Sequence, residues 1–305
     1  MSDIYIPRPL KVWASEKLGD FEIISTYRDP DKENGVWKID SGSDLFFLKM
    51  HQMKSDWHQE VNTYSNWAMD LKPYVPTLEG VYEGQGLQGI LLSAQSGIPL
   101  KEADHLSKNN LYLIFGIAGQ LARQVHSQHR GDWFGRCTSN GQPLEENFND
   151  PIEYFKSEFL KPFNLALRQN SLTRDEIKMA NWVHDNIHSL ADQVPVPVNR
   201  NYSPRDWLVD EEGRLSGVID FEKTYWGLSL DTFGTLWDQY FPLYDGAEEA
   251  FFAGYGYNPL DTKPTQTRVI MIKVAIENIC YGTSQGREEY IQRGKRLLVR
   301  VEETF

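Results

Sequence analysis

The amino-acid sequence predicts an α+β fold of two lobes: a small antiparallel β-rich lobe with one helix, then a larger α-helical lobe. Three observations predict it. The first hundred residues alternate short runs of β-formers with turn residues. After Pro99 the apolar residues recur at helical spacing. One isolated hairpin, Trp207 to Asp220, interrupts the helical half. A chain of 305 residues, 40% hydrophobic and 24% charged, can bury cores for both lobes, which are placed at residues 1–95 and 96–305 with a cleft between them.

In the first lobe, Phe21–Thr26, Val36–Asp40, Leu45–Met50 and Gly89–Ser93 are rich in β-formers, and Asp40-Ser41-Gly42-Ser43-Asp44 joins two of them as a hairpin. Asp56–Leu71 reads as the single helix, capped by Ser55 and stopped before Pro73. In the second lobe Asn110–His126 places Leu111, Ile114, Phe115, Ala118, Leu121 and Val125 on one helical stripe. Further helical patterns cover Pro151–Arg168, Thr173–Gln193, Leu230–Phe241 and Thr267–Tyr281, and the stretch up to Glu303 is amphipathic. The hairpin has apolar strands, Trp207–Val209 and Leu215–Ile219, around the polar turn Asp210–Arg214.

Charge and cysteine usage exclude several function classes. A net charge of −12 at pH 7 argues against a partner with a phosphate backbone, so no nucleic acid is expected. Cys137 and Cys280 are the two cysteines, too few for a disulfide framework and without Cys-x-x-Cys spacing, which suits a reducing compartment such as the cytoplasm. The N-terminus lacks a basic segment followed by an apolar run, and no stretch reaches the roughly 18 apolar residues of a membrane span. No membrane association is expected.

Two clusters carry chemistry. Lys49 ends an apolar strand, and Glu60 lies eleven residues on in the following helix. A helix folded back on the sheet brings that carboxylate to the ammonium, and such a pair holds a lysine ready for phosphate; from spacing alone, a solvated surface pair stays open. The second cluster is the run Asn199-Arg200-Asn201-Tyr202-Ser203-Pro204-Arg205-Asp206-Trp207-Leu208-Val209-Asp210, followed after the turn by Gly217-Val218-Ile219-Asp220-Phe221-Glu222. Two other patterns are decoys. Gly84-Gln85-Gly86-Leu87-Gln88-Gly89 is a literal Gly-x-Gly-x-x-Gly, but a strand follows it rather than a helix, so it reads as a hairpin turn. His126 and His129 have no third residue spaced to join them as metal ligands.

The second cluster resembles the aminoglycoside phosphotransferase family of kinase-like small-molecule phosphotransferases, whose catalytic loop is His-x-Asp-x-x-x-x-Asn followed, after a hairpin, by Ile-Asp-Phe/Trp-Glu. Asn34-Gly35-Val36-Trp37, the Lys49 and Glu60 pair, the stretch after Leu91-Leu92 and the helix ending Leu121-Ala122-Arg123-Gln124-Val125-His126 extend the resemblance over roughly residues 20 to 300. It implies a two-lobed protein-kinase-like fold that binds ATP and Mg²⁺. Asn34 would lie in the nucleotide loop and Lys49 would hold phosphate oxygens with Glu60 fixing it. Residues Ser93 to Ser96, Gln95 among them, would form the hinge against the adenine edge, and Asp220 would chelate Mg²⁺. Arg200 would tether the catalytic loop, Asp231 would brace it through backbone amides, and Glu222 would be a neighbouring loop residue rather than a ligand.

The chain departs from the family at the loop itself. The usual His is Asn199, the usual catalytic Asp is Asn201, and the usual metal-binding Asn is Asp206. An amide at 201 orients a hydroxyl but accepts no proton as a carboxylate does. Asp206 adds a hard anionic oxygen beside Asp220, which suits Mg²⁺. The expected function is ATP- and Mg²⁺-dependent phosphotransfer to a hydroxyl of a small molecule, antibiotic or metabolite, or of a peptide, with Asn201, Asp206 and Asp220 as the catalytic set. The alternative is a pseudokinase-like nucleotide-binding or scaffold protein in which Asn201 has removed efficient transfer.

Overall fold

A computed structural model describes residues 5–27, 35–104 and 106–305. The chain forms α1 (Arg8–Leu18), β1 (Glu22–Thr26), β2 (Gly35–Asp40), β3 (Leu45–His51), α2 (Lys54–Asn62), β4 (Leu78–Gly84), β5 (Leu87–Ser93) and β6 (Ile98–Pro99). It continues through α3 (Lys108–Gln128), α4 (Pro151–Arg168), α5 (Arg174–Asn186), β7 (Val196–Asn199), β8 (Trp207–Val209), β9 (Leu215–Val218) and β10 (Thr224–Gly227). It ends with α6 (Ala247–Tyr255), α7 (Pro259–Thr262), α8 (Pro264–Gln285) and α9 (Glu288–Thr304). Two compact units result. One comprises Met1–Ala103, Arg136–Leu144 and Arg205–Thr224; the other comprises Asp104–Gly135, Glu145–Pro204 and Tyr225–Phe305.

In the first unit an antiparallel sheet runs in the order β1-β2-β3-β5-β4. The pleat sorts its side chains. Trp37, Ile39, Leu48 and Leu91 turn to one face and form a core with Ile6, Leu10 and Ala14 of the N-terminal segment. Lys49 and His51 alternate with Leu48 and Met50, so they turn to the other face, where α2 packs and Trp57 Nε1 donates to the Gly89 carbonyl at 3.2 Å. Gly89 is what lets α1 approach: a Cβ there would stand 2.7 Å from Leu10 Cδ1.

The N-terminal sheet therefore carries two helices, α1 and α2, where the sequence pattern shows one. Helix α1 buries Leu10 and Ala14 alone and has Val12 and Trp13 mid-helix, so it leaves a weak apolar stripe. Helix α2 starts at Lys54 after an extended Met53 whose side chain makes no cap, two residues ahead of the expected start at Asp56, and passes into a π turn at Thr63–Trp67. The Gly-x-Gly-x-x-Gly run is the β4–β5 hairpin turn, with Gly84 paired to Leu87 and with Gln85 and Gly86 both at positive φ. Beside the sheet, β8 and β9 form the expected hairpin, and β6 adds to β8.

The second unit is helical. Helices α3 and α6 cross with backbones in contact, since a Cβ on Gly119 would stand 2.0 Å from the Phe251 carbonyl oxygen and one on Gly254 would stand 1.9 Å from that of Gly116. Helix α6 was not legible from spacing, and Leu230–Phe241 forms 3₁₀ and π turns rather than an α-helix. Phe233, Phe251, Phe252 and Tyr255 make edge-to-face contacts there.

His126 sits at the end of this cluster, 8% exposed, with Nδ1 at 2.8 Å from the Tyr255 hydroxyl and Nε2 at 3.1 Å from Thr232 Oγ1. Burial, helped by the Arg123 charge, lowers its imidazole to about 3. Above the ordinary imidazole value of about 6.5 both the folded and unfolded chains carry it neutral, so it adds no pH dependence. Below that value the unfolded chain takes up a proton and the fold does not, so stability falls toward pH 3 by about 1.4 kcal/mol per pH unit. Urea unfolding midpoints between pH 7.5 and 4.5 should decline in the native chain and decline less in His126→Gln; parallel declines would contradict this role.

Candidate active site

The sheet, α2 and the β8–β9 hairpin bring the expected residues of the first unit together. Lys49 Nζ lies 2.8 Å from Glu60 Oε2, 2.6 Å from Asp220 Oδ1 and 3.3 Å from Glu222 Oε2. Glu60 is 1% exposed, against 37% for the Asp220 side chain and 25% for Glu222. The open surface-pair reading of Lys49 and Glu60 is thereby closed.

The charges respond to one another. Burial acts to lower the Lys49 ammonium, but the carboxylates of Asp220, Glu60 and Glu222 outweigh it and hold it well above the ordinary lysine value. Burial opposes the Glu60 charge as well, yet Lys49 and then His51 overcome it and hold that carboxyl at about 2. Glu222 goes the other way, raised by burial and by the like charges of Asp220 and Glu60 against the pull of Lys49.

Asp206 and Asp220 flank the hairpin. Trp207 pairs with Val218, and the Ile219 amide donates to the Asp206 carbonyl at 2.9 Å, so both aspartates are fixed at the open end of the same two strands. Asp220 has φ 64°, in the left-handed region, which aspartate adopts with modest strain and most other non-glycine residues avoid. The Asp206 carboxyl is raised well above the ordinary value by burial first and by the Asp220 charge second, against the weaker pull of Arg205, Lys49 and Lys101. Two residues beyond Phe221, Lys223 pairs with Asp56 of α2 at 2.5 Å and ties the Asp220 loop to the helix that carries Glu60.

The stretch after β5 is anchored by its own contacts. Ser93 Oγ accepts from the Thr77 amide at 2.8 Å, the Ala94 amide donates to the Leu45 carbonyl, and Gln95 Nε2 donates to the Pro73 carbonyl at 2.8 Å. Asn34 lies outside the described residues.

In the second unit Asn201 is exposed on a short loop after β7. Asn199 Oδ1 accepts from the Asn201 amide at 2.9 Å, and Thr235 Oγ1 donates to the Arg200 carbonyl at 2.8 Å. Arg200 pairs with Glu277 and stands 3.6 Å from Glu158, the tether expected of it. Asp231 differs from expectation: its Oδ1 accepts from the buried Lys273 ammonium at 2.9 Å, while Oδ2 is buried with no hydrogen-bond partner among the described residues, so the brace runs through a cation and not through backbone amides.

Sequence reasoning missed His51, whose Nε2 lies 2.5 Å from Glu60 Oε2. Glu222, expected beside the site rather than as a ligand, faces Lys49 at 3.3 Å. The available signal was the strand period: residues 49 and 51 share a face. Among the described residues, no helix is long and apolar enough to cross a membrane.

Known proteins share the fold of this chain. No curated protein sequence matches the chain. The fold is similar to the crystal structure of aminoglycoside phosphotransferase APH(4)-Ia, with 13% identity, 97% of this chain and 98% of that chain covered, and a TM-score of 0.73. A ternary complex of a thermostable mutant of that enzyme with ADP and hygromycin B has 13% identity, coverage of 96% and 97%, and a TM-score of 0.71. The streptomycin–ATP–APH(2")-IIa complex has 15% identity, 97% coverage of both chains and a TM-score of 0.61. These likenesses establish a kinase-like α+β fold. The model of the phosphotransferase enzyme family matches residues 32–268, which span Lys49, Glu60, the Asn199–Asp206 loop and Asp220, and the chain belongs to that family.

Proposed function

We propose that this protein is an ATP- and Mg²⁺-dependent phosphotransferase that moves the γ-phosphoryl group to a hydroxyl of a small molecule, with a peptide hydroxyl as the other acceptor class. The observation that carries the proposal is Lys49 held between Glu60 and Asp220, with a second carboxylate, Asp206, at the same end of the hairpin as Asp220. The ADP and ATP complexes of similar structures support nucleotide binding.

The residues fit a divalent cation. Asp206 is pushed toward its protonated form partly by Asp220, and two hard carboxylates at one end of the hairpin are a suitable donor pair for Mg²⁺. Asp206 and Asp220 would hold the ion, which supplies charge neutralisation at the phosphates. Lys49 binds phosphate oxygens by charge-assisted hydrogen bonds once it exchanges Asp220 for the nucleotide, and Glu60 keeps it aimed. Asn201 orients the acceptor: its Oδ1 accepts a hydrogen bond from the hydroxyl but takes no proton. Phosphoryl transfer depends chiefly on positioning and charge, so an amide there is compatible with turnover. Ser93 and Gln95 belong to the stretch that faces the adenine edge in this reading.

Asn201 also supports the second reading, a nucleotide-binding protein without efficient transfer. One experiment separates them: calorimetric titration with ATP with and without Mg²⁺, then transfer assays on hydroxylated amines and peptides. Metal-dependent ATP binding is expected; its absence overturns the proposal. Asn201→Asp should raise transfer by up to about 10²-fold, since it restores a proton acceptor. Metal-dependent ATP binding with no transfer in either form favours the second reading.

A further inference from the structure

His51 lies two residues beyond Lys49 on β3, on the same face of the sheet, and its side chain is 1% exposed. Glu60 Oε2 serves both neighbours, Lys49 Nζ at 2.8 Å and His51 Nε2 at 2.5 Å. The other carboxylate oxygen, Glu60 Oε1, and the other ring nitrogen, His51 Nδ1, are both buried with no hydrogen-bond partner among the described residues. That asymmetry assigns the tautomer. With the proton on Nδ1, two lone pairs would face each other at 2.5 Å and a buried N–H would be unpaired. With the proton on Nε2, the short contact is a charge-assisted hydrogen bond, and only a lone pair is left bare.

His51, Glu60 and Glu222 bring ligand atoms within 4.8 Å of one another. The cation they surround is the Lys49 ammonium, close to both carboxylates. The cluster is thus a cradle for lysine.

We propose that His51 is a positioning residue of the phosphoryl-transfer site, which locks the Glu60 carboxylate in the orientation that presents Oε2 to Lys49. The proposal rests on reading Lys49 as the phosphate-binding ammonium. Its consequence appears when nucleotide arrives. In this structure Lys49 divides itself among three carboxylates; a bound Mg·ATP claims Asp220, and Glu60 is left to aim the ammonium. A Glu60 free to rotate would aim it poorly. The role resembles that of a group which hydrogen-bonds a metal ligand and sets its direction, where removal costs roughly 10- to 100-fold in affinity or activity.

The test pairs His51→Leu, which fills the space but donates nothing, with His51→Gln, whose amide N–H reaches where Nε2–H is. For Mg·ATP titrated by calorimetry, the leucine variant is expected to bind roughly tenfold more weakly, and the glutamine variant to return to within about threefold of the native chain, because one N–H donor restores the bond. Nitrogen-15 spectra of the native chain, assigned by the signal lost in His51→Gln, should show a protonated Nε2 and a bare Nδ1. Equal binding by the two variants, or a proton on Nδ1, overturns the proposal. The native spectrum decides even where the leucine variant does not fold. A native chain that takes up no Mg·ATP instead sinks the nucleotide reading, and a native chain that binds while both variants bind alike sinks only the role of His51.

Discussion

Lys49→Ala is expected to weaken Mg·ATP binding by about 10²-fold or more, the equivalent of two charge-assisted hydrogen bonds at roughly 1.5–3 kcal/mol each. The deletion acts twice. It removes the donor to the phosphates, and it leaves Glu60, Asp220 and Glu222 without their shared cation. The second effect is visible without nucleotide. In the native chain the Glu60 carboxyl is held at about 2, below the ordinary carboxylate value, so its contribution to stability is complete above about pH 4.5 and is lost only as pH falls toward 2. Without Lys49 the largest influence holding the charge is gone while the burial remains. The carboxyl should then protonate in the fold at higher pH than in the unfolded chain, so on acidification the variant gains stability relative to the native chain, whose Glu60 contribution is constant over that range. Thermal midpoints from pH 8 to 5 check this, and superimposable profiles would contradict it.

Lys273→Met is expected to destabilise the second unit strongly, by roughly 3–5 kcal/mol. Lys273 is fully buried, 2.9 Å from Asp231 and 3.7 Å from Glu277. Asp231 already has one buried oxygen without a partner among the described residues, and the methionine would leave the whole carboxylate unpaired in a buried site. Replacing both members, Lys273→Met with Asp231→Leu, should recover most of the loss, because removing a buried pair costs far less than breaking it. Chemical denaturation of the two single variants and the double variant tests this. A single variant within about 1 kcal/mol of the native chain would show that the pair carries little. Glu277 also pairs with Arg200, so loss of Lys273 should loosen the loop that presents Asn201.

Much of the site was legible because its members lie in local patterns. Lys49 ends an apolar strand, Glu60 follows on the next helix, and Asp206 and Asp220 bracket a hairpin whose polar turn, with Gly213 at φ 73°, is visible in the sequence. Residues that act through long-range partners were harder to read. Lys273 reads as one more polar position on a mostly apolar helix, and only the fold places it against Asp231, 42 residues earlier. Helix α1 went unread for the opposite reason: its environment, not its own pattern, makes it a helix, since it is the lid over Trp37, Ile39 and Leu48. The 3₁₀ and π turns after Ser229 carry a helical apolar pattern that aromatic packing bends away from regular geometry.

Position 220 passes through two filters that act independently. The backbone, at φ 64°, admits glycine readily and asparagine or aspartate with modest strain, while β-branched and bulky residues are excluded. The charge balance around Lys49 asks for an anion. Glycine and asparagine satisfy the first filter and fail the second; glutamate satisfies the second and meets a steeper backbone penalty. The two sets overlap in a single amino acid, so the tolerance of this position divides cleanly into chains that fold without the carboxylate and chains that have the charge but must distort the turn to place it.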